Sequence, residues 1–180
     1  TNSDGNYTFE DVAPGDYFIC ESQQLGWSQT YPDFDQDYPN CHEVTVASGE
    51  KYTDNDFGNF RLGQIYGFKY EDTNGDGGFD SGEPLLNGWE ICLNKEGSDS
   101  TTCVSTYDSE DYGDGYFAFT GLEYGNYTLT ENETNPDYQR TQPTSGSYNI
   151  LIESGSGFGE GDVRYFGNAP LTDTHGYKWN

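Results

Sequence analysis

Three polar residues stand where an amide bond could form between them. In extended strands Ile65, Gly67 and Lys69 share a face, as do Tyr127, Leu129 and Glu131, and Phe166 and Asn168. An apolar neighbour beside each polar residue is the pattern of an inward-pointing side chain. Burial strips hydration from a charge, so the pKa of a buried lysine falls and that of a buried glutamate rises. A neutral Lys69 amine could then attack the Asn168 carboxamide while protonated Glu131 polarises the carbonyl and relays protons as ammonia leaves. The alternative for Lys69 is the common one, a strand lysine in water.

A second chemistry is written in Asp72-Thr73-Asn74-Gly75-Asp76-Gly77-Gly78-Phe79-Asp80-Ser81-Gly82-Glu83. Side-chain oxygens fall at loop positions 1, 3, 5, 9 and 12, with Gly77 at position 6, the spacing of a calcium loop. Asp72, Asn74, Asp76, Asp80 and Glu83, with the Gly78 carbonyl, are the candidate Ca²⁺ ligands. The alternative is an acidic surface loop. No flanking helices are predicted, so the loop reads as a staple between strands rather than a sensor. Asp33, Asp35, Asp37, Asn40 and Glu43 repeat the acidic alternation without the glycine or the terminal spacing, and a solvated loop explains them as well.

Four cysteines supply the third. Cys92 and Cys103 flank a short polar turn on adjacent predicted strands, and Cys20 and Cys41 lie on two others. Three pairings are open to four cysteines, and Cys20–Cys41 with Cys92–Cys103 keeps each bridge within one domain. Zinc is the alternative, yet there is no Cys-x-x-Cys and His42 is the one histidine nearby. Disulfides imply an oxidising, extracellular location. Asn6, Asn126 and Asn132 begin Asn-x-Ser/Thr triplets, a weak signal for glycosylation.

The elements that position these groups emerge from an internal repeat. DGNYTFEDVAPGDYFICESQQLGW, from Asp4, aligns with DGYFAFTGLEYGNYTLTENETNPDY, from Asp114. Tyr17 then matches Tyr127 and Glu21 matches Glu131, Phe57-Gly58-Asn59 matches Phe166-Gly167-Asn168, and Gly67-x-Lys69 matches Gly176-x-Lys178. The period, about 110 residues, is the size of a small β-sandwich. Residues 1–62 read as the C-terminal part of one copy, 63–172 as a complete copy and 173–180 as the first strand of a third. The chain lacks an initial Met and a signal segment and is expected to be a piece of a longer array. Strands are predicted at 64–70, 88–93, 102–106, 115–120, 125–131, 147–153 and 163–168, giving an all-β fold of tandem sandwiches.

Composition narrows the function. The 180 residues carry 7 Lys plus Arg against 32 Asp plus Glu, a net charge of -25 that excludes nucleic acid and anionic membrane surfaces as partners. Mean hydropathy is -0.90, without an apolar run long enough to insert into a membrane. Apolar residues make up only 32%, but 17% of the chain is aromatic, which supplies a core that the aliphatics alone do not.

PGDYFICESQQLGW, from Pro14, and YGNYTLTENETNPDY, from Tyr124, resemble the Tyr-x-x-x-Glu segment of collagen-adhesin B-type (Cna B-type) domains, the Ig-like, prealbumin-like sandwiches of bacterial surface proteins. YGFKYEDTNGDGGFDSGEPLLNGWEICL, from Tyr66, is similar to the opening of serine-aspartate-repeat B domains, whose first strand leads into a calcium loop and a Gly-Glu-Pro turn. The resemblance implies an intramolecular isopeptide between Lys69 and Asn168 assisted by Glu131. In the first copy Glu21 and Asn59 remain, with their lysine expected upstream of Thr1, and Lys178 would serve the third copy.

The function expected is therefore structural: a stalk segment of an extracellular adhesin, fibre or matrix protein, whose partners are neighbouring repeats or other copies in a fibre. Its one catalytic act would be its own crosslinking. A rival reading is a module that binds a glycan or protein through exposed Trp27, Trp89 and tyrosines. A carboxylate-pair hydrolase is disfavoured, because no nucleophile and base accompany the abundant acids.

Overall fold

The computed structural model describes residues 1–32, 40–133, 135–157 and 162–172. Asp33, Asp35, Asp37, His175 and Lys178, and with them most of the second acidic cluster and the third copy, lie outside the described residues. The chain divides into two compact units, Thr1–Phe60 and Arg61–Asn180.

The first unit holds β1 (Gly15–Cys20), β2 (Trp27–Tyr31), β3 (Cys41–Val46) and β4 (Gly58–Arg61). They form two small sheets, antiparallel β1-β3 and a β2-β4 pair. Val44 is its buried aliphatic, while Phe9, Phe18 and Tyr31 stay exposed.

The second unit is a sandwich of β5 (Gly63–Glu71), β6 (Glu90–Lys95), β7 (Thr101–Ser105), β8 (Tyr107–Ser109), β9 (Gly113–Leu122), β10 (Gly125–Glu131), β11 (Tyr138–Gln142), β12 (Ser147–Ile152) and β13 (Arg164–Pro170). One sheet runs β12-β10-β6-β7 and the other β11-β13-β5-β9-β8. Alternation decides which side chains meet between them: Ile65, Ile91, Leu93, Phe117, Phe119, Leu129, Ile152 and Phe166 are buried. The first and last strands, β5 and β13, are neighbours and run parallel, with Lys69 opposite Phe166 and Glu71 opposite Asn168.

The seven predicted strands are present with shifted ends. β6 begins at Glu90 rather than Gly88, whose φ of 79° belongs to a turn. Two strands were not foreseen. β8 has only three residues, and β11 is polar and bulged between Arg140 and Gln142. Both are edges of the five-stranded sheet, where apolar alternation is not required.

Two glycines of the repeat motifs have steric reasons. A Cβ on Gly67 would lie 1.7 Å from the Arg164 carbonyl oxygen, and one on Gly167 would lie 2.3 Å from the Tyr70 ring. The β5–β13 pairing thus depends on missing side chains. Gly67→Ala is expected to cost about 3 kcal/mol by overpacking. Gly97→Ala, at φ 79° with nothing within 4 Å, is expected to cost about 1 kcal/mol from backbone strain alone. Urea unfolding of both variants checks the order, and equal losses would show that β5 and β13 are not pressed together.

Candidate functional site

Lys69 on β5, Asn168 on β13 and Glu131 on β10 meet between the two sheets, with exposures of 0%, 3% and 6%. Asn168 Nδ2 donates to Glu131 Oε1 at 2.6 Å, and Lys69 Nζ lies 3.7 Å from Glu131 Oε2. The ammonium also donates to the carbonyls of Phe166 and Tyr70 at 3.2 and 3.3 Å, and it sits 4.5 Å from the centre of the Trp89 ring. Glu131 Oε2 and Asn168 Oδ1 are buried without a hydrogen-bond donor.

Burial dominates the electrostatics. It lowers the Lys69 pKa to about 8, against the pull of Glu131. It raises the Glu131 pKa, although Lys69, the Asn168 amide and Arg140 all favour the carboxylate. The two shifts bring the pair closer to its uncharged form. A cavity of about 280 Å³ lined by Trp89, Tyr138, Arg140 and Leu171 reaches Asn168 from outside.

The rival binding reading needs Trp89 on the surface. It is instead half-buried over the lysine and packed edge-on against Tyr138, with centroids 5.3 Å apart. Alternation puts it on the same face as buried Ile91 and Leu93 within the predicted 88–93 strand, although the observed β6 begins one residue later. Trp27 is the exposed one, at 39%.

In the first unit Asn59 Nδ2 donates to both oxygens of Glu21 at 2.8 Å. The Glu–Asn contact of the complete copy recurs, but Asn59 is solvent-exposed and no described lysine forms an ion pair with Glu21.

The loop at 72–83 is closed by its own hydrogen bonds. Buried Asp72 accepts from the amides of Gly75, Asp76 and Gly77 at 2.6 to 3.2 Å. Burial acts to raise the Asp72 pKa, yet these donors and the Thr141 side chain hold it below the ordinary value. Glu83 folds back onto the amides of Thr73 and Asp80. Asn74 Nδ2 donates to Asp76 Oδ2 and Asp80 Oδ2 at 3.1 and 3.0 Å, so three candidate ligands converge on one point. With the Asn74 amide turned over so that Oδ1 replaces Nδ2 at that point, this carboxylate and amide set fits a hard cation. Among the described residues, three acid, thiol or imidazole donors come within 4.8 Å of one another only at Glu90, Cys92 and Cys103.

Those two sulfurs are already bonded. The disulfides are Cys20–Cys41 and Cys92–Cys103, each joining directly opposed residues of an antiparallel pair, and no described cysteine is free. The zinc alternative therefore has no thiolate to use. His42 Nε2 lies 2.6 Å from the Asp56 carbonyl, with its ring between Tyr31 and Phe57. The amides of Asn126 and Asn132 are held by Glu96 and Glu90, and Asn6 is exposed.

Residues 63–158 match the family model of the SdrD B-like domain. The chain belongs to that family. The SdrD B-like match spans β5 to β12 and contains Lys69, Glu131, the acidic loop and Cys92–Cys103. Serine-aspartate repeat-containing protein D of Staphylococcus aureus strain Newman is 30% identical over 162 residues, covering 87% of this chain and 12% of that protein. Protein F of the same description from Staphylococcus epidermidis is 31% identical over 162 residues, covering 86% of this chain and 9% of its own. The chain thus spans about an eighth or less of these relatives. Among solved structures, the minor pilin of Streptococcus agalactiae aligns with a TM-score of 0.44 at 14% identity over 99% of this chain and 70% of that one. A streptococcal ancillary pilin aligns at 0.41 and 21% identity over 90% and 44%. No described helix is long and apolar enough to cross a membrane.

A lysine whose folded pKa lies near 8 while its unfolded value is near 10.5 binds fewer protons folded than unfolded between those values. Stability must therefore rise with pH in that window. With Asn168→Ala keeping the amine free, unfolding free energy is expected to grow by about 1 kcal/mol per pH unit from pH 8 to 9.5. Adding Lys69→Met should flatten the rise, and an unchanged slope would place Lys69 in water.

Proposed function

We propose that the chain is a load-bearing segment of an extracellular surface protein, whose complete sandwich is closed by an isopeptide bond between Lys69 and Asn168. The observation that supports this most is the burial together of an amine, a carboxamide and a carboxyl with unpaired oxygens on the last two. In the reactive form the amine is neutral and Glu131 carries the proton. The 2.6 Å contact between Glu131 and Asn168 is short for a nitrogen donor and ordinary for a hydroxyl donor. Rotating the Asn168 amide about its last bond places Oδ1 there to accept the Glu131 proton.

Lys69 Nζ then adds to Asn168 Cγ, and the Oδ1 charge that develops is held by Glu131. The attacking nitrogen loses a proton through the Glu131 carboxyl, the C–Nδ2 bond breaks, and Nδ2 departs with that proton as ammonia. One N–C bond forms and one breaks, with no change of oxidation state. The cavity beside Trp89 and Leu171 offers the leaving ammonia a route outward. Trp89 and the two backbone carbonyls hold the amine in place meanwhile.

The mechanical reading follows from topology. The chain enters at the start of β5 and leaves at the end of β13, so tension shears two parallel neighbours past each other. A bond from Lys69 to Asn168 carries that load directly and bypasses the intervening strands. In the loop, Asp72, Asn74, Asp76, Asp80, Glu83 and the Gly78 carbonyl would hold Ca²⁺, which would tie the end of β5 to the turn before β6. The disulfides accord with an oxidising exterior, and the relatives' repeat-containing names accord with neighbouring domains as partners.

Intact mass of the purified chain is expected to be one ammonia below the value for the sequence with two disulfides. Glu131→Gln should restore the ammonia, and Asn168→Asp should replace its loss by the loss of one water. An unmodified mass in the parent chain would refute the bond. Separately, Ca²⁺ is expected to raise the melting temperature by several degrees, a gain that Asp76→Ala removes. An identical melt in chelator would refute the metal site.

A further inference from the structure

The outer face of the five-stranded sheet takes no part in the proposed crosslink, yet it is paved with rings in contact. Tyr112 stacks on Tyr116 with centroids 4.6 Å apart and planes 13° apart, and Tyr107 meets Tyr116 edge-on at 5.7 Å. Tyr116 in turn meets Phe68 at 5.7 Å. Phe68 stacks on Tyr165 at 5.9 Å, and Phe79 lies over Tyr165 at 5.1 Å and 15°. The stripe therefore runs unbroken from β8 across β9, β5 and β13 to the acidic loop. Its ends are open, with Tyr107, Tyr112 and Phe79 at 49%, 57% and 38% exposure.

A connected aromatic surface on the solvent side of a sheet is uncommon in a protein that meets only water. Its charge selects among partners. Asp108, Glu110 and Asp111 adjoin the two exposed tyrosines in sequence. Burial above all, then the neighbouring phenols of Tyr112, Tyr107 and Tyr66 and lastly Asp111, raise the pKa of Tyr116. Among the described residues, cations lie over the rings of Trp89, Tyr127 and Tyr148, none of them in the stripe.

We propose that this stripe docks an arginine-bearing polypeptide segment of another protein, its guanidinium planes lying on Tyr107, Tyr112 and Phe79. Guanidinium stacks on aromatic faces while its in-plane N–H groups remain available to carboxylates, so one side chain uses both features of the surface. A second copy of this chain would bring another -25 charges to the same face. A neutral glycan would use the rings and leave the carboxylates without a counter-charge.

Oligoarginine and oligolysine peptides of equal length separate this from attraction by net charge. At physiological salt the arginine peptide is expected to bind about tenfold more tightly. Tyr107→Ala combined with Tyr112→Ala should remove that preference and leave the lysine peptide's affinity unchanged, with circular dichroism verifying the fold. Equal affinity for both peptides, or a preference that survives the double variant, would overturn the proposal. So would ring-dependent self-association in sedimentation or ring-dependent glycan retention in place of arginine selectivity.

Discussion

Everything in the complete unit is arranged around an ammonium group that has been taken out of water. Lys69 is wholly buried, and its nearest carboxylate oxygen is 3.7 Å away, too far for a strong hydrogen bond. Removing an ion from water costs several kcal/mol even after relaxation, and a loose ion pair recovers little of it. Asn168 Oδ1, buried without a hydrogen-bond donor, adds about 1 to 3 kcal/mol. A core of few aliphatic residues has little surplus to offset such a cost. On the proposed function, that cost has a chemical outlet: amide formation turns a buried amine and carboxamide into one neutral group and releases ammonia.

The same constraint explains features that look unrelated. Gly67 lets the β13 backbone reach β5, which places Asn168 near Lys69. Tyr70, adjacent to the lysine, is buried on the opposite side of β5 under Phe79 and occupies the space that Gly167 leaves open. The acidic loop begins at Asp72, directly after β5, and the Asp72 amide donates to the Asn168 carbonyl at 2.9 Å. Loop, lysine strand and asparagine strand are therefore one hydrogen-bonded assembly, in which a cation at the loop would stiffen the neighbourhood of the proposed crosslink.

Much of this was legible in the sequence because it depends on period-two alternation and on the internal repeat. Lys69, Glu131 and Asn168 each follow an apolar residue two positions earlier or share its face, and the structure brings all three together. The cysteine pairs were legible because each bridge closes within one unit across adjacent strands. The role of Trp89 was not: alternation with Ile91 and Leu93 turns it inward, but its place over the ammonium arises from tertiary packing. β8 and β11 escaped for a different reason: edge strands face solvent and need no apolar pattern. The aromatic stripe was hidden because Phe68, Tyr116 and Tyr165 come from three separate strands, and only their register makes them neighbours.

Pulling a single molecule from its two ends tests the central claim most directly. If Lys69 and Asn168 are joined, the reduced, metal-free unit cannot release the segment between them at any force below bond rupture. The extension trace will then lack an unfolding step on the order of 35 nm for that segment, and Lys69→Ala will restore it. A step of that length in the unsubstituted protein would show that hydrogen bonds alone hold β5 to β13.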